Sequence, residues 1–276
     1  YAFSPDGSKL LFVSQVPYGK QVKDIYPDLP LSSGKVIDDV MYKHWDEWVE
    51  TVPHPFVADL TSKGLENVQD LLDGEPYESP MKPWGGIEQL AWSPDSKTVA
   101  YTCRKKTGLA YSISTNSDIY IYDLASGTTK NLTEGMMGYD QNPVFSPDGR
   151  YIAFESMARD GYEADMNRLF VHDLTTGTNR FLSEQLDADV SNLCWSADGA
   201  IIYFLSSEEA VIQLYKADCA TGAIQALTNG QFDLSGLALA GDQLITYRHS
   251  MERPNELYRV NPADGSMTAL TDENKE

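Results

Sequence analysis

The phrase Phe145-Ser146-Pro147-Asp148-Gly149-Arg150-Tyr151-Ile152-Ala153-Phe154 constrains this chain more than any other, because it recurs. It returns as Phe3-Ser4-Pro5-Asp6-Gly7, as Trp92-Ser93-Pro94-Asp95-Ser96 and as Trp195-Ser196-Ala197-Asp198-Gly199, with a worn copy at Leu239-Ala240-Gly241-Asp242. Pro suits the second position of a tight turn, Asp can bond its own backbone, and Gly accepts a positive φ. Each phrase therefore predicts a β-hairpin. The strand after it is short and apolar, as in Leu10-Leu11-Phe12-Val13 and Ile201-Ile202-Tyr203-Phe204, and suits a strand covered on both faces.

A second signature follows each hairpin: a strand, then a turn opened by Asp or Asn and closed by Gly. Ile119-Tyr120-Ile121-Tyr122-Asp123 leads to Ser126-Gly127, and Leu169-Phe170-Val171-His172-Asp173 leads to Thr176-Gly177. The others begin at Pro55, Leu214 and Leu257. A last short strand is expected at Leu132-Thr133, Leu182-Ser183, Leu227-Thr228 and Leu270-Thr271, and more weakly at Leu71-Leu72. The unit is four antiparallel strands, a to d. It occurs five times, at about residues 1–73, 87–133, 140–183, 190–228 and 235–271. From Asp95 to Asp148 is 53 positions and from Asp148 to Asp198 is 50. Propeller blades repeat at ~40–50 residues, so the expected fold is all-β, a β-propeller of four-stranded antiparallel blades with five units, either a partial ring or a five-bladed one.

Strands alternate direction, so within a blade the a–b and c–d turns share one end and the b–c loop lies at the other. The a–b turns are uniform. From turn Asp to strand-c Asp, however, the chain runs 53, 28, 25 and 20 positions in the first four units. The inserted sequence therefore falls on the b–c side, and function tends to sit on variable loops over a rigid scaffold. The long insert covers about 17–54, with smaller ones at 104–117 and 157–167.

Within the long insert lies Met41-Tyr42-Lys43-His44-Trp45-Asp46-Glu47-Trp48-Val49-Glu50. Trp45, Trp48 and Val49 fall at helical spacing, as do Asp46 and Glu50, which predicts a short amphipathic helix within a helical insert at about 34–52. One face would pack tryptophan on the propeller. The other would show carboxylates, either as an ordinary solvated face or as a grip for an ammonium group through charge-assisted hydrogen bonds. Gly161-Tyr162-Glu163-Ala164-Asp165 lies on the same variable side and either lines a pocket or is an ordinary loop. The substrate-binding candidates are thus Trp45, Asp46, Glu47, Glu50, Tyr162 and Glu163.

Other chemistries find little support. His44 and His54 with Asp46 and Glu47 match no metal spacing, the recurring turn Asp reads as a backbone-bonding residue rather than a calcium ligand, and no metal or cofactor is expected. No Gly-x-Ser-x-Gly elbow, triad context or phosphate loop occurs. A formal charge of -20 repels nucleic acid and anionic membrane, and tolerates cationic ligands such as a peptide amino terminus. No apolar run reaches the ~20 residues of a membrane span. Cys103, Cys194 and Cys219 include no C-x-x-C. Cys194 and Cys219 fall in one repeat, and free buried thiols are the preferred reading. Asn131-Leu132-Thr133 matches a glycosylation acceptor but reads as a c–d turn entering strand d.

The Ser-Pro-Asp-Gly hairpins with Asp-Leu-x-x-Gly turns resemble the propeller repeats of periplasmic TolB-type proteins and of prolyl oligopeptidase family serine peptidases. The insert ending in Met41–Trp48, with Gly161–Asp165, resembles the dipeptidyl-peptidase V and acylaminoacyl-peptidase branch. That resemblance implies a propeller that restricts access and shapes a substrate pocket, beside an α/β-hydrolase domain whose triad has no counterpart here. It implies a peptide substrate handled by the parent enzyme, which releases dipeptides or acyl-amino acids, a periplasmic or secreted location, and no catalysis by this chain alone. In the dipeptidyl-peptidase IV branch a glutamate pair on a propeller helix holds the substrate amino terminus; Asp46-Glu47 sits in a comparable insert with a different motif. The competing readings are a non-enzymatic TolB-like propeller that binds a protein partner on its looped face, and a complete five-bladed enzyme. No closing strand is expected in 272–276, which argues against the latter. An arc left open would expose strand edges, so self-association or a distorted closed ring is expected.

Overall fold

The computed structural model describes residues 1–275; Glu276, the last residue of the segment where no closing strand is expected, lies outside the described residues. The dominant elements are five four-stranded antiparallel sheets. The first contains β1 (Ala2–Phe3), β2 (Lys9–Pro17), β5 (Thr51–Thr61) and β6 (Gly64–Asp70) in that order. Between β2 and β5 lie a one-turn helix, α1 (Val22–Ile25), and a two-stranded hairpin of β3 (Lys43–His44) and β4 (Glu47–Trp48). The second sheet is β7 (Leu90–Trp92), β8 (Thr98–Cys103), β9 (Asp118–Asp123) and β10 (Thr128–Asn131), with α2 (Gly108–Ile113) between β8 and β9.

The third sheet is β11 (Asp140–Phe145), β12 (Tyr151–Ser156), β13 (Arg168–Asp173) and β14 (Thr178–Phe181). The fourth is β15 (Ser191–Trp195), β16 (Ile201–Glu208), β17 (Val211–Asp218) and β18 (Ile224–Ala226). The fifth is β19 (Asp233–Ala240), β20 (Gln243–Ser250), β21 (Arg253–Val260) and β22 (Met267–Ala269). Each is a meander of sequential strands, which is the propeller blade the repeat predicts. The chain divides into two compact units, 1–143 with 158–163, and 144–157 with 164–276.

The repeated turn is held by its own side chains. In the third blade Ser146 Oγ donates to Asp148 Oδ1 at 2.6 Å, the Arg150 amide donates to the same Oδ1 at 3.0 Å, and the Tyr151 amide donates to Ser146 Oγ at 2.9 Å. Ser4–Asp6, Ser93–Asp95 and Ser196–Asp198 repeat the serine–aspartate bond at 2.6–2.7 Å. Gly7, Gly149 and Gly199 sit at φ 71° in these turns, and Ser96 takes the same left-handed geometry at φ 61° without being glycine. The bond from Ser4, reinforced by the Ser8 amide and hydroxyl, brings the Asp6 carboxyl down to about 2.

Each unit has its own apolar centre. In the first, Leu11, Val57, Leu72, Val99, Tyr101, Cys103 and Tyr120 pack together. In the second, one cluster centres on Ile202, Phe204, Leu169 and Trp195, and another on Leu214, Leu234, Leu244 and Val260. The apolar residues of the b strands, Leu11, Tyr101, Ile152, Phe154, Ile202 and Phe204 among them, are among the most deeply buried, as expected of strands covered on both faces.

Three expectations are corrected. Residues 34–52 hold a β-hairpin, not a helix. Lys43 pairs with Trp48 and His44 with Glu47, and the Val49 amide donates to Tyr42 O. Trp45 sits at the tip with φ 55°. Ten residues at helical spacing are too few to stabilise a helix by themselves. Cross-strand packing decides instead: Tyr42 lies 6.1 Å from the Trp48 ring, and Lys43 Nζ 4.8 Å above it. Nor do the tryptophans pack on the propeller. Trp45 is 71% exposed and meets Trp84, itself 78% exposed, edge to face at 5.0 Å.

The third correction concerns strand d, which precedes the Leu-Thr pairs rather than containing them. Leu132, Leu182, Leu227 and Leu270 donate their amides back to the carbonyls of Ile119, Leu169, Leu214 and Leu257 in strand c. The hydroxyl that follows accepts a strand-c amide: Thr133 from Ile119, Ser183 from Leu169, Thr228 from Leu214 and Thr271 from Leu257. The pair is a clasp that closes the end of each c–d ladder, satisfying an amide that would otherwise be orphaned. Asn131-Leu132-Thr133 is accordingly the exit from strand d, not its start.

Candidate functional site

The inserts of the first two blades and the short segment 158–163 enclose a cavity of about 450 Å³ within the first unit. Gln15, Thr51 and Pro53 on the β2–β5 stem form one wall, and Lys43, His44, Glu47 and Trp48 of the hairpin form another. Glu78 and Lys82 enter from the connection between the blades, Arg104 from the residue just past β8, and Tyr111 and Ser112 from α2. Glu163 completes the lining.

Local bonds set each of these groups in place. The Ser79 amide donates to Pro53 O at 2.9 Å, Ser79 Oγ to Thr102 O at 2.8 Å, and Cys103 Sγ to Glu78 O at 3.3 Å. These stitch the Glu78–Ser79 segment between strands of the first and second blades. Glu78 is only 3% exposed; its Oε1 accepts the Tyr111 hydroxyl and the Lys82 amide, the latter at 3.1 Å. Burial raises the Glu78 carboxyl above its usual range, against the opposing pull of those two bonds and of the Arg104 charge.

Arg104 is 7% exposed. One terminal nitrogen donates to Tyr111 O at 3.3 Å and the other to Tyr139 Oη at 2.8 Å. The guanidinium also lies over both rings, 4.7 Å from the centre of Tyr111 and 5.3 Å from that of Tyr139.

Asp160 holds the segment bearing Glu163. Its Oδ1 accepts Ser114 Oγ at 2.7 Å, the Thr115 amide at 2.8 Å and the Asn116 amide at 3.2 Å. In return the Gly161 amide donates to Thr115 Oγ1 at 2.9 Å. Partial burial works to raise the Asp160 carboxyl, but the bonds from Ser114, Thr115 and Asn116 prevail and lower it.

Of the six residues singled out in the sequence, Glu47 and Glu163 meet in this cavity. Glu50 faces a separate hollow of about 40 Å³ and is ion-paired with Lys35. Trp45, Asp46 and Tyr162 line neither space. Tyr162 is half exposed and stacks under Arg159 at 4.0 Å. Glu78, Arg104 and Tyr111, the buried polar groups of the cavity, are what residue-by-residue reading missed. They come from three segments, and only the placement of an arginine directly after the apolar strand Thr98–Cys103 hints at a buried charge.

Elsewhere chemistry is sparse. Among the described residues no group of three or more His, Cys, Asp or Glu side chains is arranged to hold a metal ion. All three cysteines are free thiols; burial pushes Cys194 and Cys219 up to about 11 and Cys103 higher still. Among the described residues no helix is long and apolar enough to cross a membrane.

Comparison with known proteins places this geometry. Residues 89–276 match the TolB beta propeller domain model. Over its whole length the chain is 52% identical to the dipeptidyl-peptidase 5 of Porphyromonas gingivalis and 56% identical to that of Porphyromonas endodontalis, and it spans 40% of the length of each. The fold matches the Pyrococcus horikoshii acylaminoacyl peptidase with a TM-score of 0.69 at 18% identity, over 99% of this chain and 38% of that one. It matches the β-propeller domain of the Pyrococcus furiosus trilobed protease with a TM-score of 0.62 at 19% identity, over 99% of this chain and 66% of that one.

Proposed function

The chain belongs to the TolB beta propeller domain family, and from that premise we propose that it is the substrate-positioning propeller of a serine exopeptidase that acts on short peptides. The relatives named dipeptidyl-peptidase 5 supply the reaction class. What supports a positioning role is the cavity itself, where the Glu47 and Glu163 carboxylates face one space on the insert side. A volume of about 450 Å³ falls in the range of small-molecule sites. Two carboxylates there suit the ammonium of a peptide amino terminus through charge-assisted bonds. The propeller admits short chains and orients them; acyl transfer takes place on groups that this chain does not carry.

Calorimetric titration of the chain with Ala-Ala and N-acetyl-Ala-Ala tests the reading. The free amino terminus should bind more tightly, and Glu47→Gln with Glu163→Gln should erase that advantage. Equal affinity for the two peptides would dispose of an ammonium site.

A further inference from the structure

Arg104 is a buried cation with no carboxylate bonded to it. Among the described residues it forms no ion pair: no carboxylate oxygen lies within 4.0 Å of its nitrogens, and its two hydrogen-bond acceptors are the neutral Tyr111 carbonyl and Tyr139 hydroxyl. Its Nε is buried with no partner at all. Burying an unpaired charge is costly, and buried charges are ordinarily matched by an opposite one. The neighbouring Glu78 interacts with it through charge alone: its hydrogen bonds go to Tyr111 and the Lys82 amide, and none reaches the guanidinium.

The guanidinium is nonetheless rigid. Two rings bracket it, and two hydrogen bonds fix its plane. It lines the cavity together with Lys43 and Lys82, so one space holds three cations beside Glu47 and Glu163. Each terminal nitrogen carries a second hydrogen beyond the one it gives to Tyr111 O or Tyr139 Oη, and a planar donor fork held in advance is suited to a carboxylate.

We propose that Arg104 anchors a carboxylate subsite in this cavity, so that the site takes a short peptide by a free carboxylate as well as by its ammonium group. The inference rests on the peptide-binding reading of the cavity. The carboxylate comes either from the peptide's carboxyl terminus or from an acidic side chain, and one ligand series separates the sources.

The probes are Ala-Ala, Ala-Ala amide and Asp-Ala amide, each titrated into the 276-residue chain; all three keep a free amino terminus. Ala-Ala should bind about ten- to a hundredfold more tightly than its amide, the worth of one charge-assisted bond. Asp-Ala amide matching Ala-Ala would assign the subsite to side-chain carboxylates too; Asp-Ala amide matching Ala-Ala amide would assign it to the carboxyl terminus. Arg104→Gln should bring Ala-Ala down to the level of its amide and leave the amide unchanged. Ala-Ala and its amide binding the wild-type chain equally overturns the carboxylate subsite and leaves the peptide cavity standing. No binding of any member overturns both. The wild-type series needs no variant, so it decides even where Arg104→Gln fails to fold.

Discussion

The Tyr111 hydroxyl donates a hydrogen bond to Oε1 of Glu78, and both side chains are buried at the wall of the cavity. The pair links α2 to the connection between the first two blades. Burial holds the Glu78 carboxyl above its ordinary 4.5. The folded chain therefore keeps a proton there that the unfolded chain has released. Stability from this group is fully present below about 4.5 and is lost as pH rises from there through the raised value. Glu78→Gln removes the titration while keeping an acceptor for Tyr111. Urea midpoints of wild type and Glu78→Gln should converge at low pH and separate, with wild type the less stable, as pH climbs. A constant difference over that range would show that Glu78 ionises normally.

Ser146→Ala removes the pivot of the third-blade turn. Ser146 is buried, and its Oγ both donates to Asp148 and accepts the Tyr151 amide. Losing both bonds should cost about 1–2 kcal/mol, read from the denaturant midpoint. A variant as stable as wild type would mean that the turn is held by backbone geometry alone.

The legibility of the fold follows from the range over which its bonds act. Ser146, Asp148 and Gly149 are within four residues of one another, so their chemistry is written in the order of the letters, and blade number and phase follow. The hairpin at Lys43–Trp48 is open to misreading because a ten-residue stretch satisfies two periodicities at once, and what decides between them is cross-strand packing of Lys43 and Tyr42 on Trp48, which the spacing of the letters does not mark. The cavity is harder still. The inserts after Pro17, after Cys103 and after Ser156 were visible as excess length, and Glu47 and Glu163 lie within two of them. Glu78, Arg104 and Tyr111 are brought together only by packing one blade beside the next, and nothing local marks them as partners.

Thr133→Val tests the clasp that ends each c–d ladder. The Thr133 side chain is fully buried; its Oγ1 accepts the Ile119 amide at 3.1 Å and donates to Asp118 at 3.2 Å. Valine keeps the shape and strands a buried amide, which should cost about 1–3 kcal/mol. Ser183→Ala at the equivalent position of the third blade, where the hydroxyl accepts the Leu169 amide at 2.9 Å, should fall in the same range. Amide exchange at Ile119 and Leu169 should quicken in the respective variants, and unchanged protection at both would rule the clasp out.

Trp45→Ala should leave folding nearly untouched. The ring is mostly exposed and touches Trp84, not the apolar centre of the unit, so the loss is that of one exposed aromatic pair, about 0.5–1.5 kcal/mol. Thermal unfolding of the variant checks this. A loss of several kcal/mol would restore the tryptophan to a packing role of the kind a helical insert implies.

Asp160 is the positioning residue of the cavity. It touches no part of the space directly, yet it ties Ser114, Thr115 and Asn116 at the end of α2 to the segment that presents Glu163. Asp160→Ala removes three acceptor bonds from one oxygen and frees that segment. Peptide affinity should fall about three- to tenfold, the worth of roughly one net hydrogen bond spent on holding the wall in place. The far-UV spectrum should not change, because no blade strand is involved, and Asp160→Asn, which keeps an acceptor at the same position, should recover most of the affinity. Amide exchange at Thr115 and Asn116 provides the structural readout. If exchange there quickens while affinity holds, the Asp160 bonds are a matter of local stability and Glu163 is placed by something else.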